Sequence, residues 1–352
     1  MNYYIKELNI DSKHNKTAGN KARIDVHSIL DELGFQSIDS YPLAGKKHHN
    51  RLLKHIQIAN YWNSKLLMLK NGDTLLLQIP IFYHSLFLNT ILSKLKRKGV
   101  KLIAFIHDLE SVRYSQFSNS FISKFRVNYE EKSVLRIADA IISHNSKMSD
   151  YLRRIIPRAN IVELEMFDYY SMYNPRNNPD NAIIVAGNLS KQKSGYIYSL
   201  PDGIEINLYG VNYEGIDSNL INYKGSYYPD VLINKIKGKY GLVWDGDSLE
   251  TCSGVTGEYL KINSPHKMSL YLASELPIII WKDAAMASFV KRNKCGVLID
   301  NLQMLHSVLH NTEDVLYNEY KNNSIRIGKR IKEGYFTKKA VKKVITNLSQ
   351  SS

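Results

Sequence analysis

What most constrains the fold of this chain is a rhythm: short apolar runs alternate with stretches whose apolar residues recur at helical spacing. In the first half the runs Tyr3–Leu8, Thr74–Gln78, Lys101–Ile106, Ala140–Ser143 and Asn160–Leu164 read as strands. Between them lie helical stretches at Lys21–Leu33, closed by Gly34, and Leu86–Lys98, closed by Gly99; further ones cover Phe121–Ala138 and end at Tyr151–Ile155. Alternation resumes with Ala182–Ala186, Ile204–Tyr209, Tyr240–Trp244, Pro277–Trp281 and Gly296–Ile299 as strands. A helix opens near Pro265, and a basic one covers Asn322–Leu348 with a break at Gly334. Strands this uniformly apolar need cover on both faces, which crossover helices supply in parallel α/β sheets.

The expected organisation is a doubly wound domain over residues 1–169, a linker over 170–181, a second such domain over 182–331, and a basic helix over 332–352. The linker is rich in Asn, Pro and Tyr, and Pro175 and Pro179 interrupt any regular element there. A length of 352 residues suits two domains. No apolar run approaches the roughly 18 residues of a membrane helix. The first residues lack the apolar core of a signal peptide, so a cytoplasmic protein is expected. With Cys252 and Cys295 alone, neither a disulfide framework nor a cysteine metal site is indicated. The net charge of +14 favours anionic partners. The lysines are scattered, however, and no helix-turn-helix, zinc-finger or RNA-binding signature accompanies them, so nucleic acid is not expected.

Ligands of such sheets bind beyond the carboxyl ends of the strands, which directs attention to four places. The first is Asn263-Ser264-Pro265-His266-Lys267-Met268-Ser269. Ser264 suits the N-cap and Pro265 the first helical position. The amides of His266, Lys267 and Met268 would then face outward, and Lys267 adds a full charge, a combination suited to a diphosphate. An ordinary capped helix opens the same way, but this one follows a long polar loop from Asp245 to Asn263. The second place is Gly187-Asn188-Leu189-Ser190-Lys191, after the strand that opens the second domain, with Lys191 available to a phosphate. The third is His107-Asp108, at the end of an apolar strand, where either side chain can serve as general base or merely cap a helix. The fourth is Lys16-Thr17-Ala18-Gly19-Asn20-Lys21, small residues between the first strand and first helix. No HExxH or comparable ligand spacing occurs, so no metal site and no cofactor is expected.

Taken together, Phe105-Ile106-His107-Asp108, Ala186-Gly187-Asn188, Tyr240-Gly241-Leu242-Val243-Trp244 and the helix Pro265–Ala273 resemble one group of bacterial glycosyltransferases. These are GT-B enzymes that add the second sugar to O-linked N-acetylglucosamine on serine-rich repeat adhesins; relatives are labelled galactofuranosyltransferases. The resemblance implies an α/β fold of two Rossmann-like domains facing across a cleft, with the C-terminal helix returning toward the N-terminal domain. It implies that a nucleotide diphosphate is held by Lys191, with Lys193 as a rival, by Tyr227 just before Pro229-Asp230, and by Lys267 at the helix start. Ser264, His266, Met268 and Ser269 share that helix start, and Thr17 matches a threonine on the opposite wall. Leu109–Asn119 would lie on the acceptor side, and a homo-oligomer such as a tetramer is implied.

The resulting expectation is metal-independent transfer of a hexose, glucose first, from a UDP-sugar to GlcNAc on a Ser/Thr-rich protein. Asp108 would be the base toward the acceptor hydroxyl, with His107 as second choice. Two alternatives stay open. One is a hexosyl- or galactofuranosyltransferase of exopolysaccharide assembly on a lipid-linked acceptor, touching the membrane through its basic C-terminal helix. The other is a non-catalytic partner protein of the same fold.

Overall fold

The computed structural model describes residues 1–7, 18–40, 51–83, 85–113, 121–175, 181–215 and 220–350. Among these residues twelve strands form two sheets. The first contains β1 (Asn2–Glu7), β2 (Gln36–Ser40), β3 (Thr74–Ile79), β4 (Lys101–Ile106), β5 (Ala140–Ser143) and β6 (Ile161–Glu163), in the order β2-β1-β3-β4-β5-β6. The second contains β7 (Ile183–Asn188), β8 (Ile206–Val211), β9 (Ile221–Tyr223), β10 (Tyr240–Val243), β11 (Ile278–Trp281) and β12 (Gly296–Ile299). Its order is β9-β8-β7-β10-β11-β12. Every pairing is parallel. All residues of β3, β5, β10 and β11 are buried, as strands covered on both faces by helices must be.

Strand order reverses between β1 and β3 in the first sheet and between β7 and β10 in the second. A reversal sends the crossovers on its two sides to opposite faces of the sheet, leaving a crevice at the carboxyl ends of the two strands. The helix His266–Ala273 is seated beside the second reversal by close packing on β10. A Cβ on Gly241 would lie 2.2 Å from the Tyr271 ring, so only glycine lets that ring lie on the strand. The Tyr271 hydroxyl then accepts from the Ala186 amide of β7 at 2.8 Å.

The basic C-terminal region is two helices, Asp314–Lys332 and Tyr335–Gln350, divided at Gly334, whose φ of 71° is left-handed. The last helix crosses back onto β5 and β6 of the first sheet. Asp168 accepts from the amides of Phe336 at 3.2 Å and Thr337 at 2.6 Å, holding the helix start. Lys338 pairs with Glu32 of the first helix at 2.6 Å. Elements not anticipated include β2, β9 and the helices Arg51–Leu66, Ala287–Asn293 and Leu305–Asn311, and the stretch Asp245–Asn263, expected as one long loop, contains the helix Gly254–Leu260. The two strands are short, polar and at sheet edges, so they lack the buried apolar run that marks the others.

Candidate active site

The segments that leave β4 and β5 meet those that follow β10, so the carboxyl ends of the two sheets face each other. Leu109 donates its amide to the Tyr259 hydroxyl at 2.9 Å. Ser264 donates its amide to His144 Nδ1 at 3.1 Å, and Asn145 Nδ2 donates to the Ser264 hydroxyl at 3.0 Å. At the centre of this seam the Phe167 ring lies 5.6 Å from His107, 4.7 Å from His144 and 6.0 Å from His266. Burial pushes His107 well below the usual histidine range and His144 and His266 down to about 3. All three are therefore neutral near pH 7. His107 is stacked on Phe167, and its Nε2 lies 2.6 Å from Gln78 Oε1, which places it in the packing of the seam.

Beside the seam, at the reversal between β7 and β10, Lys267 pairs with the Asp245 carboxylate at 2.6 Å, and Lys193 lies within that carboxylate's electrostatic influence. Lys267 Nζ also donates to the Trp244 carbonyl at 3.1 Å, leaving its side chain 11% exposed. Lys193 lies in the short helix Lys191–Ser194 after β7. Its carbonyl accepts from the Gly246 amide at 2.8 Å, which ties that helix to the turn carrying Asp245. At Lys193 the Asp245 carboxylate pulls the pKa up, but burial and the Lys267 and Arg113 cations outweigh it, leaving the ammonium below its ordinary value. An excess of positive charge in a half-enclosed crevice is the electrostatic condition for holding a diphosphate.

The local geometry corrects the reading of the helix start. Pro265, with ψ of 129°, is the boundary residue, and the helix begins at His266. Ser264 does not cap it, because its hydroxyl lies between the Asn145 amide and Met286 Sδ at the domain seam. The Met268 amide donates to the Pro265 carbonyl at 2.9 Å, so the amides of His266 and Lys267 are the ones without a helical partner. The side chains of Met268 and Ser269 are buried; Ser269 donates to the Phe167 carbonyl at 2.7 Å, a contact between the domains.

Lys191 also stands apart from the cluster. Its side chain is 65% exposed, with Nζ 3.9 Å from Glu214, whereas its neighbour two residues on shares the field of Asp245 and Lys267. Tyr227 is half-buried against the second-domain core, its ring 6.5 Å from that of Tyr209. Thr17 lies outside the described residues, as do residues 114–119 of the acceptor-side segment.

On the first-domain wall, Asp108 accepts from Arg113 Nη1 at 2.6 Å while its side chain stays 30% exposed. Enclosure by the cleft raises its carboxyl above the ordinary range, opposed by Arg113 and Lys193. A carboxylate of raised pKa that still meets water is suited to accept a proton from an incoming hydroxyl. Asp245 was not foreseen as a site residue, although its place just beyond β10 was an available signal; Arg113 was not singled out, although it ends the helix Glu110–Arg113 within the segment expected on the acceptor side. Among the described residues no group of three or more His, Cys, Asp or Glu side chains is placed to hold a metal ion.

Residues 2–166 match the N-terminal domain of the Glucosyltransferase 3-like family, and residues 183–344 match its C-terminal domain. The chain belongs to the Glucosyltransferase 3-like family. It is 32% identical to the beta-1,6-galactofuranosyltransferase WbbI of Escherichia coli K12, over 98% of this chain and 99% of that one. It is 26% identical to Glucosyltransferase 3 of Streptococcus gordonii, over 91% and 92%. Among solved structures, Anabaena HepE in complex with UDP-glucose superposes with a TM-score of 0.57 at 10% identity, over 99% of both chains. The fold is that of the GT-B glycosyltransferases, and this family member is a hexosyltransferase of the Glucosyltransferase 3 type, related to galactofuranosyltransferases. No helix among the described residues is long and apolar enough to cross a membrane.

Proposed function

We propose that this enzyme moves a hexose from a UDP-hexose to a sugar hydroxyl, holding the diphosphate at the crevice between β7 and β10. The observation that carries the reading is the Lys267–Asp245 pair at the helix start, with the Lys193 segment bonded to the Gly246 turn beside it and Asp108 on the facing wall. In the reaction the acceptor oxygen bonds to the anomeric carbon as the bond from that carbon to the phosphate oxygen breaks. Negative charge then grows on the departing UDP, where Lys193, Lys267 and the free amides of the helix start lie ready. Asp108 takes the hydroxyl proton. Two fixed ammonium groups stand in for the divalent ion that other sugar transferases use, so no metal is required.

The identity of 32% to a galactofuranosyltransferase makes galactofuranose the first donor sugar to test, with a glycan hydroxyl as acceptor. Glucose transfer to GlcNAc carried on a serine-rich peptide is the second reading, supported by the family match and the streptococcal relative. Both are tested by one assay: UDP-galactofuranose and UDP-glucose, each with galactoside, glucoside and GlcNAc-peptide acceptors, in EDTA. Transfer should survive EDTA and fall about 100-fold in Lys267→Ala, the scale of losing one charged group that stabilises the leaving oxyanion. Asp108→Asn should lower turnover by about 100-fold or more, as expected for a general base. Turnover lost in EDTA and restored by a divalent ion would overturn the metal-free reading. Wild-type turnover in Asp108→Asn would remove that residue from the chemistry.

A further inference from the structure

Behind the donor crevice lies a buried cation that the proposed chemistry does not use. Lys21, in the helix Ala18–Glu32, is 6% exposed. Its Nζ lies 2.6 Å from Asp25 Oδ1, 2.6 Å from the Tyr170 carbonyl and 2.8 Å from Asp230 Oδ1. Those partners come from three places: the same helix, the segment joining the domains, and the second-domain turn Tyr227-Tyr228-Pro229-Asp230. A second bond runs in parallel, because the Tyr169 hydroxyl donates to the Pro229 carbonyl at 2.8 Å. The Tyr169 ring bridges to the donor crevice. Lys21 Nζ sits 5.0 Å from the ring's centre, and the ring of His266, first residue of the diphosphate-facing helix, lies 5.1 Å away on a tilted face.

The contacts differ in how firmly they are fixed. Asp25 is buried and also accepts from the Tyr170 amide at 3.0 Å, so the Lys21–Asp25–Tyr170 part is a permanent joint of the first domain. Asp230 is 59% exposed and lies in the first turn of the short helix Pro229–Leu232. A buried ammonium with one partner in water has two fixed bonds and one that can open.

We propose that Lys21 and Asp230 are positioning residues for the donor: their ion pair, with the Tyr169–Pro229 bond, holds the start of the second-domain helix Pro229–Leu232 and the Tyr169 ring against His266, and so sets the helix start at which the diphosphate binds. This rests on the donor-crevice reading above. The pair touches neither substrate nor reacting atoms and acts through the Tyr169 ring that lies against His266.

Asp230 is exposed enough that Asp230→Asn should fold with an unchanged Tm. That variant should raise KM for the UDP-hexose about tenfold while kcat changes less than twofold, because a charge-assisted bond becomes a neutral one. UDP affinity by calorimetry should fall by the same factor, and Asp230→Glu should restore most of it. Lys21→Met removes the joint itself; if it fails to fold, the Asp230 variants decide the matter alone. Unchanged KM and UDP affinity in Asp230→Asn would overturn the proposal, as would an equal loss in Asp230→Glu. Lys267→Ala is measured alongside: if it leaves UDP affinity intact, the donor-crevice reading falls. If it abolishes affinity while Asp230→Asn changes nothing, only the positioning role falls.

Discussion

The two strand-order reversals have the same topology and opposite contents. At the first, between β1 and β3, Glu7 and Arg23 face each other at 3.4 Å with side chains 5% and 7% exposed. Glu7 Oε1 also accepts from the Tyr83 amide at 2.9 Å, while Arg23 donates to the Pro80 carbonyl and lies 3.9 Å above the Phe82 ring. Among the described residues one cation meets one anion, and each member of the pair has a further backbone partner. At the second, between β7 and β10, Lys267 pairs with Asp245 while Lys193 lies within the same carboxylate's influence, and both lysines stay half-buried. Topology provides a crevice in each domain, and under the proposed donor site it is charge stoichiometry that leaves the second one free to take an anion.

The strongest way to break this contrast is Arg23→Met. Removing one partner of a buried pair leaves the other desolvated, so the variant should lose about 3 kcal/mol of stability, read by urea unfolding. UDP affinity of the folded fraction should not move. A variant of normal stability with weakened UDP binding would mean that the first crevice is a ligand site after all.

A smaller effect sharpens the second crevice. Lys193→Ala should weaken UDP binding about tenfold, the size of one charge-assisted contact in a partly enclosed site. Lys191→Ala should change it less than twofold, because an exposed ammonium beside Glu214 is screened by water and salt. If the two variants exchange ranks, the short helix after β7 does not present Lys193 to the donor.

How far the sequence carried depended on what kind of signal each feature has. The interior strands were legible because burial on both faces demands continuous apolar runs such as Thr74–Ile79 and Ile278–Trp281. Edge strands such as β9, with Ile-Asn-Tyr alone, carry no such mark. Lys267 was legible from Ser-Pro-His-Lys at a helix start. The one-residue offset that moves Ser264 out of the cap was not, because it is set by Asn145, His144 and Met286, distant in sequence. That Lys193, not Lys191, lies on the Asp245 side has the same cause: the Gly246 turn fixes how a four-residue helix lies. Lys21 and Asp25 have the i, i+4 spacing of a helical ion pair, yet nothing local announces that Asp230 completes it.

The least expected effect concerns the seam that joins the crevices. His107, His144 and His266 surround Phe167 as neutral rings, with the last two held down to about 3. A histidine depressed in the folded state takes up its proton more readily when unfolded. Its contribution is thus fully present above the unfolded value of about 6.5 and is lost as pH falls toward the folded value. Between pH 6.5 and 5.5 each such ring should remove about 1 kcal/mol of stability. His27, buried in the first domain and also held at about 3, adds to the slope, so the wild-type curve alone does not isolate the seam. His144→Gln does: its side-chain carbonyl can still accept from the Ser264 amide, and it cannot be protonated in this range. Urea unfolding at pH 7.0, 6.5, 6.0 and 5.5 should show a shallower loss in the variant than in the wild type, by about one proton's worth of slope. An identical slope would mean that His144 is already protonated or solvated in the folded protein. The domain seam would then be a wet joint like the donor crevice, not a dry one like the sealed pair at Glu7 and Arg23.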